Sequence, residues 1–309
     1  MSYESEQLRL FKMPTRKEVE NELILSLFKY NGTIKEFGSG EEIVDEIANA
    51  FNLSEKQRKA YLETIYRKEN RVKKSFLWHR LLFRAADSLA NQDLVTRPKV
   101  TFRLTHKKEW MLTEKGFDTA LKLLKIPSSE KDFLSVKSYE VQKVVKKLKG
   151  LRRPGIYNPF DEKKKIQQIT REAKIRSRGF RFAIIEAYDY KCALCGMKIS
   201  SPDSKSWEVE AVHIVPHRLK GKDDVWNGLA LCRLHHWAFD VGWFTLLDDY
   251  SVKISSRINL LPLGIGKLGE LDFLRSFVKE KSKIILPLEK EIYPHKNSIY
   301  WHRKNIFYQ

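Results

Sequence analysis

Cysteine is scarce: the chain of 309 residues has three, at 192, 195 and 232, too few and too clustered for a disulfide framework. No run of about 18 apolar residues occurs, so a membrane-spanning helix is not expected. The opening MSYESEQLRLFKMP lacks the apolar stretch of an export signal, which points to a soluble, cytoplasmic protein with reduced thiols. No internal repeat or low-complexity tract is present. Acidic residues are also in short supply, 39 Asp and Glu against 58 Lys and Arg, for a formal charge of +19. With 42% hydrophobic and 12% aromatic residues the chain can bury real cores, which excludes wholesale disorder. The charge calls for an acidic partner. No basic amphipathic helix with a Trp/Phe/Leu face stands out, so nucleic acid is favoured over a membrane surface.

Helical periodicity dominates residues 14 to 126. Pro14 precedes a stretch with Val19, Leu23, Leu27 and Phe28 on one face. Ser39 and Glu42 form a capping-box pattern ahead of Ile43, Val44, Ile47 and Phe51, and Ser54 opens a third helix. A fourth helix is expected over about Phe76 to Leu89. It leads through Leu94-Val95 to two short strands, Lys99 to Leu104 and Glu109 to Leu112, joined by Thr105 to Lys108. Thr113-Glu114-Lys115-Gly116 then opens a last helix. Helices followed by a hairpin are the plan of a winged helix. The stretch containing Asn70-Arg71, Trp78, Leu89, Leu94-Val95 and Trp110-Met111-Leu112-Thr113-Glu114-Lys115-Gly116 resembles the winged-helix domain at the N-terminus of Mrr-type restriction proteins. That resemblance departs from the pattern in a longer segment between Asn70 and Leu94. Arg71, Lys73, Lys74 and Arg80 crowd the approach to the fourth helix and are candidate DNA contacts; a helical scaffold or dimerisation domain is the plainer alternative.

From Lys143 to Arg181 fourteen Lys and Arg face only Asp161, Glu162 and Glu172, a net of +11. Leu151-Arg152-Arg153-Pro154-Gly155 interrupts helix propensity there. The expected division is therefore a DNA-recognition domain over 1–126, a basic linker over 127–160 and a second domain over 161–309.

Every cysteine falls in one of two paired knuckles. Cys192-Ala-Leu-Cys195 is followed, after 36 residues, by Cys232-Arg-Leu-His235. Three thiolates and one imidazole close a tetrahedral Zn²⁺ shell with no open position. That makes the ion structural, contributing on the order of 10 kcal/mol to the folding of small domains. Exchanging the roles of His235 and His236 is the alternative, but Cys232-x2-His235 keeps the tighter knuckle spacing.

Between the knuckles lie Glu210-Ala-Val-His213-Ile-Val-Pro216-His217 and Asp223-Asp224-Val-Trp-Asn227-Gly228-Leu-Ala-Leu231. His236-Trp-Ala-Phe-Asp240 follows the second knuckle. A strand from Trp207 to Ile214, a loop ended by Asn227-Gly228, a short apolar strand and a helix from about Leu234 make a ββα unit pinned by the zinc. His213 closes its first strand and His236 sits on the first turn of its helix, so the two imidazoles can face one cleft, one as base and the other as ligand.

These segments resemble the HNH nucleases of the ββα-metal type, in particular restriction-like members with E-A-x-H-I-x-P, N-G-L-A-L-C and L-H-H-x-x-F-D motifs. His213, Asn227 and His236 are spaced by 14 and 9 residues. The lead-in Arg178-Gly-Phe180-Arg181 through Tyr188 and the tail Tyr300 to Phe307 resemble the same group more weakly. The resemblance implies phosphodiester hydrolysis, with His213 as general base, Asn227 orienting it and His236 binding Mg²⁺ or a similar divalent ion. The sequence departs from the commonest form at Val212, where Asp or His would add a ligand. Glu210 or Asp240 can supply that oxygen, though Asp240 can equally cap or salt-bridge within its helix. Arg178, Arg181 and His217 are candidate phosphate contacts; His217 is as readily a plain surface histidine.

The expected fold is thus α+β, a winged helix joined to a zinc-stabilised HNH domain. The expected function is restriction-type cleavage of double-stranded DNA by a homodimer, with the Mrr-like resemblance pointing toward dependence on methylated cytosine. A non-catalytic winged-helix and zinc-knuckle regulator, or an RNA-targeting nuclease, are the alternatives.

Overall fold

The computed structural model describes residues 3–37, 41–66, 71–161, 171–260, 267–268, 271–272 and 282–308. The chain forms two compact units, Met1–Gln142 and Lys143–Gln309. Among the described residues no helix is long and apolar enough to cross a membrane.

In the first unit, helices α1 (Tyr3–Leu10) and α2 (Arg16–Lys29) precede strand β1 (Thr33–Lys35). Then come α3 (Glu41–Ala50), a short α4 (Glu55–Lys59), β2 (Tyr61–Tyr66), β3 (Arg71–Phe76), α5 (Leu77–Asn91), β4 (Val95–Thr96), α6 (Pro98–Thr105), β5 (Glu109–Leu112) and α7 (Glu114–Leu123). Local chemistry explains the starts. Thr15 and Glu18 form a reciprocal capping box on α2, as Ser54 and Gln57 do on α4. Thr113 Oγ1 accepts from the Gly116 amide to start α7. Gly116 has no substitute there, because a Cβ would lie 1.9 Å from the Leu94 carbonyl oxygen. The capping pattern expected at Ser39 lies outside the described residues.

Strand β5 is central in a three-stranded antiparallel sheet of order β1-β5-β4, with Ile34 opposite Trp110 and Val95 opposite Leu112. Helices α2, α5 and α7 close over it through Leu23, Leu27, Trp78, Leu82, Leu89 and Phe117, each 2% exposed or less.

One expectation fails in this unit. Lys99 to Leu104 is not a strand but lies in α6. The β-branched Val100 and Thr101 and the aromatic Phe102 suggested a strand. Pro98, however, occupies the first helical turn, where its fixed φ favours a helix, and His106 closes α6 in the left-handed region. The helix expected to open at Ser54 is present and runs for five residues, after which the chain continues into the β2–β3 hairpin, with Tyr61 opposite Phe76. The segment expected as linker contains a 3₁₀ turn at Ser128–Asp132 and helix α8 (Tyr139–Lys149), and Val136, Val141, Val145, Leu148 and Tyr157 are buried.

The second unit begins its described core with α9 (Arg171–Ala187). Strands β6 (Val209–His213) and β7 (Gly228–Cys232) pair antiparallel from Val209 opposite Cys232 to His213 opposite Gly228, and α10 (Arg233–Asp240) follows at once. This is the expected ββα unit. A second hairpin, β8 (Phe244–Leu246) with β9 (Val252–Ile254), and the C-terminal helix α11 (Lys296–Asn305) complete it. His302 on α11 stacks on Phe239 of α10 with ring centroids 3.6 Å apart. Its two nitrogens are within hydrogen-bond distance of Thr245 Oγ1 and the Phe239 carbonyl.

Candidate functional site

The first knuckle is a tight turn docked on β7. Cys192 N donates to the Met197 carbonyl, and Ala193 N donates to the Ala230 carbonyl. The second knuckle is the junction of β7 and α10. Together they bring the ligand atoms of Cys192, Cys195, Cys232 and His235 within 4.8 Å of one another, with His235 Nδ1 3.3 Å from Cys192 Sγ and 3.1 Å from Cys232 Sγ. A tetrahedral ion with bonds of about 2.3 Å to sulfur separates its sulfurs by about 3.8 Å, so this donor set fits a metal ion, and its chemistry is that of zinc. Cys192, Cys232 and His235 are buried and Cys195 is exposed. Using His235 here leaves His236 outside the cluster.

His213 ends β6 and stacks on Phe180 of α9, centroids 4.1 Å apart. Its Nε2 lies 3.0 Å from Asp223 Oδ1, and the Asp223 carboxylate is only 7% exposed, with Arg176 Nε 3.5 Å from its other oxygen. A carboxylate only accepts, so Nε2 is the nitrogen that bears a proton, and in the neutral ring the lone pair lies on Nδ1. Asp223 and Arg176 received no role from the sequence. The signal available was an acidic pair in the loop ten residues after His213, which a linear reading cannot tie to the imidazole. His217 is 59% exposed, with its ring 5.7 Å from that of His213.

Asn227 is fully buried and touches the loop backbone. Its Oδ1 accepts from Val215 N at 2.8 Å, and its Nδ2 donates to the carbonyls of Val215 and Lys222 at 3.0 and 3.1 Å. A Cβ on Gly221 would sit 1.8 Å from the Val215 carbonyl oxygen, so the loop closes only with glycine there. Asn227 thus fixes the backbone on both sides of the loop that carries Asp223.

His236, on the first turn of α10, is held at both nitrogens. Nδ1 is 2.7 Å from Glu210 Oε2, and Nε2 is 3.3 Å from Asp240 Oδ2 one helical turn on. Burial opposes charge on this imidazole, but the hydrogen bonds to Asp240 and Glu210 outweigh it and raise its pKa to about 9. The same bond to His236, opposed by burial and assisted by Arg233 and Arg181, holds Glu210 below the usual carboxylate range. Glu210 lies three residues before His213 on β6, about 10 Å along a strand. The imidazoles of His213 and His236 therefore belong to two polar clusters, and α9 serves both, Arg176 and Phe180 at the first and Arg181 at the second.

Other expected contacts fare differently. Arg178 is 3% exposed, so its side chain is not offered to a nucleic acid; it belongs to the interior of the unit. Arg80 is bound at 2.8 Å to the buried carboxylate of Glu4, which also holds Arg84, so its charge is already matched within the unit. Lys74 is exposed and pairs with Glu63 across the β2–β3 hairpin. The side chains of Arg71 and Lys73 lie outside the described residues, as does residue 162–170 of the basic run.

Residues 192–247 match the family model described as HNH endonuclease, and the chain carries an HNH endonuclease domain in its C-terminal unit. Among solved structures, one described as a modification-dependent TagI restriction endonuclease is similar at 20% identity, with a TM-score of 0.31, over 45% of this chain and 45% of its own. The chain thus spans less than half the length of that protein. No curated protein matches.

Proposed function

We propose that the protein is a restriction-type DNA endonuclease whose C-terminal unit hydrolyses phosphodiester bonds with His213 as the general base. The observation that carries this is the His213–Asp223 pair at 3.0 Å at the end of β6, inside the HNH domain. With Nε2 bound to Asp223, Nδ1 is the atom that takes the proton of an attacking water. The imidazolium so formed stays paired with a carboxylate that is itself steadied by Arg176. Phe180 fixes the ring plane, and Asn227 acts as a positioning residue through the loop backbone.

A divalent ion such as Mg²⁺, when bound, stabilises charge on the scissile phosphate and the leaving oxygen. His236 Nε2 and Asp240 are the side chains to hold it, because both nitrogens of one imidazole cannot face the same ion. Glu210 on Nδ1 then orients the ring from behind. Nitrogen with carboxylate oxygen is a fitting donor pair for a hard cation once phosphate oxygens join it. The Cys192, Cys195, Cys232 and His235 cluster holds a structural zinc. Arg181 and His217 contact phosphates.

The N-terminal unit reads DNA as a winged helix, a reading supported by its sheet order, in which the last strand lies between the first and second. Selection of methylated cytosine follows the Mrr-like resemblance, with β2–β3 and its Lys74 among the DNA contacts. A double-strand break by one active site per chain calls for a homodimer acting in the cytoplasm. The test is incubation of the purified chain with Mg²⁺ and a panel of methylated, hydroxymethylated and unmodified duplexes beside RNA. Cleavage of DNA that vanishes in His213→Ala supports the proposal; cleavage of RNA alone, or activity kept within about threefold in that variant, overturns it.

A further inference from the structure

Residues 153–161, nearly all of them expected as linker, form a strap in the second unit along the loop that carries Asp223. Phe160 lies opposite Gly221 in a short antiparallel bridge. Lys222 N donates to the Pro159 carbonyl at 2.9 Å, and Asp161 N donates to the Lys220 carbonyl at 2.8 Å. The strap is also fixed to the C-terminal segment. Arg153 donates to the carbonyls of Tyr293 and Pro294, Asn297 Nδ2 of α11 donates to the Tyr157 carbonyl at 2.6 Å, and Phe160 meets Trp301 edge-on.

Within the strap Tyr157, 5% exposed, donates its hydroxyl to Asp224 Oδ1 at 2.6 Å. Burial and the neighbouring Asp224 charge push this hydroxyl well above the ordinary tyrosine range, so it keeps its proton and remains a donor. The same Asp224 oxygen accepts from Asn227 N at 3.2 Å. Asp224 is extended, with φ −132° and ψ 165°, and in extended backbone neighbouring side chains turn to opposite faces. The two adjacent carboxylates divide accordingly, Asp223 turning to His213 at 3.0 Å and Asp224 to Tyr157. Asp223 is therefore bracketed. Lys222 before it is held through its backbone by Asn227 and Pro159, and Asp224 after it is held through its side chain by Tyr157.

We infer that Tyr157 is a positioning residue for the proposed hydrolysis, its hydroxyl holding Asp224 so that Asp223 stays aimed at His213. Without that hydroxyl the partly buried Asp224 carboxylate loses a partner and shifts toward another, carrying the adjacent Asp223 with it. The inference rests on the proposed roles of His213 and Asp223. It brings into the chemistry a residue that lies outside the matched segment 192–247.

The test uses the full-length chain with Mg²⁺ and the duplex it cuts best among methylated, hydroxymethylated and unmodified forms. The quantities measured are kcat, KM, metal content and the thermal transition of the second unit. Tyr157→Phe removes one oxygen; it should lower kcat about fivefold with KM held within about twofold and metal content unchanged. Added to Asp223→Asn it should cost less than about twofold more, because both changes act on one pair. Tyr188→Phe is the control. Tyr188 is 3% exposed, but its hydroxyl has no hydrogen-bond partner among the described residues, so its loss should leave kcat unchanged. Asn297→Ala, at an exposed position, loosens the strap without touching its interior and should lower kcat about threefold, again with little further loss beside Asp223→Asn. That variant decides the matter if Tyr157→Phe loses its metal or its thermal transition. An unchanged kcat in folded Tyr157→Phe, a loss that multiplies in full with that of Asp223→Asn, a loss confined to KM, or an equal loss in Tyr188→Phe overturns the positioning role while leaving the nuclease proposal standing. No DNA cleavage by the unmutated chain overturns that proposal, and this inference with it.

Discussion

Both units bury an apolar core, but among the described polar side chains at 2% exposed or less residues 1–142 hold the hydroxyls of Thr101 and Ser138, whereas residues 143–309 hold Asn227, His235 and His302 as well as hydroxyls. Charge divides along the same line. The first unit carries 26 Lys and Arg against 21 Asp and Glu, a net of +5, and the second 32 against 18, a net of +14. Apolar burial is non-directional and tolerates exchange of one side chain for another of similar volume. Interior polar groups tolerate very little, since each must keep its partner. The contrast teaches where each property resides. Most of the net positive charge lies in the unit that carries the HNH domain, and a cavity lined by Phe83 and Trp110 lies in the unit with little net charge.

The sharpest way to break the contrast is to remove a proposed metal ligand. Cys232→Ser should release about one metal ion per chain and unfold the C-terminal unit, a loss on the order of 10 kcal/mol, while the N-terminal unit keeps its own thermal transition. Metal analysis beside calorimetry reads both; a folded, metal-free second unit would refute the structural role.

Next in size, His213→Ala should lower cleavage about 10²–10⁴-fold with duplex affinity held, because it removes the proposed proton acceptor and none of the lysine or arginine charge. Single-turnover cleavage and a binding titration separate the two effects.

The buried histidine of α11 sets a pH limit on the second unit alone. Burial, opposed in part by the Phe239 carbonyl and Asp240, lowers His302 to about 4 from an ordinary 6.5. The folded state therefore resists the proton that the unfolded chain accepts. Its contribution is full above pH 6.5 and is lost as pH falls from 6.5 toward 4, by on the order of 3 kcal/mol. The stability difference between the unmutated chain and His302→Gln, measured by denaturant unfolding, should shrink by that amount over this window. A constant difference would contradict it.

The smallest effect tests the pairing at the base. Asp223→Asn keeps the shape but no longer fixes the proton on Nε2, so kcat should fall about tenfold with KM nearly unchanged. A variant as fast as the unmutated chain would free His213 from its dependence on Asp223.

Spacing alone was enough to group Cys192, Cys195, Cys232 and His235 and to draw the ββα unit, because both are local: a two-residue gap fits a knuckle, and alternation followed by a cap fixes a hairpin and a helix start. Apolar periodicity likewise anticipated α2, and the start signal at Thr113 anticipated α7. Local patterning failed at residues 99–104, where β-branched side chains misled and Pro98 decided. What only the tertiary structure decided is every pairing between residues far apart in the chain. Asp223 belongs to His213 because Asn227 folds the intervening loop back on Val215 and Lys222, and Glu210 belongs to His236 because β6 lies alongside α10. Arg80 and Arg178 look like free cations in the sequence, yet one is spent on Glu4 and the other is buried. Composition sets how much charge a chain has; only packing in three dimensions sets which charges remain available, because desolvation and pairing depend on neighbours that sequence order does not specify.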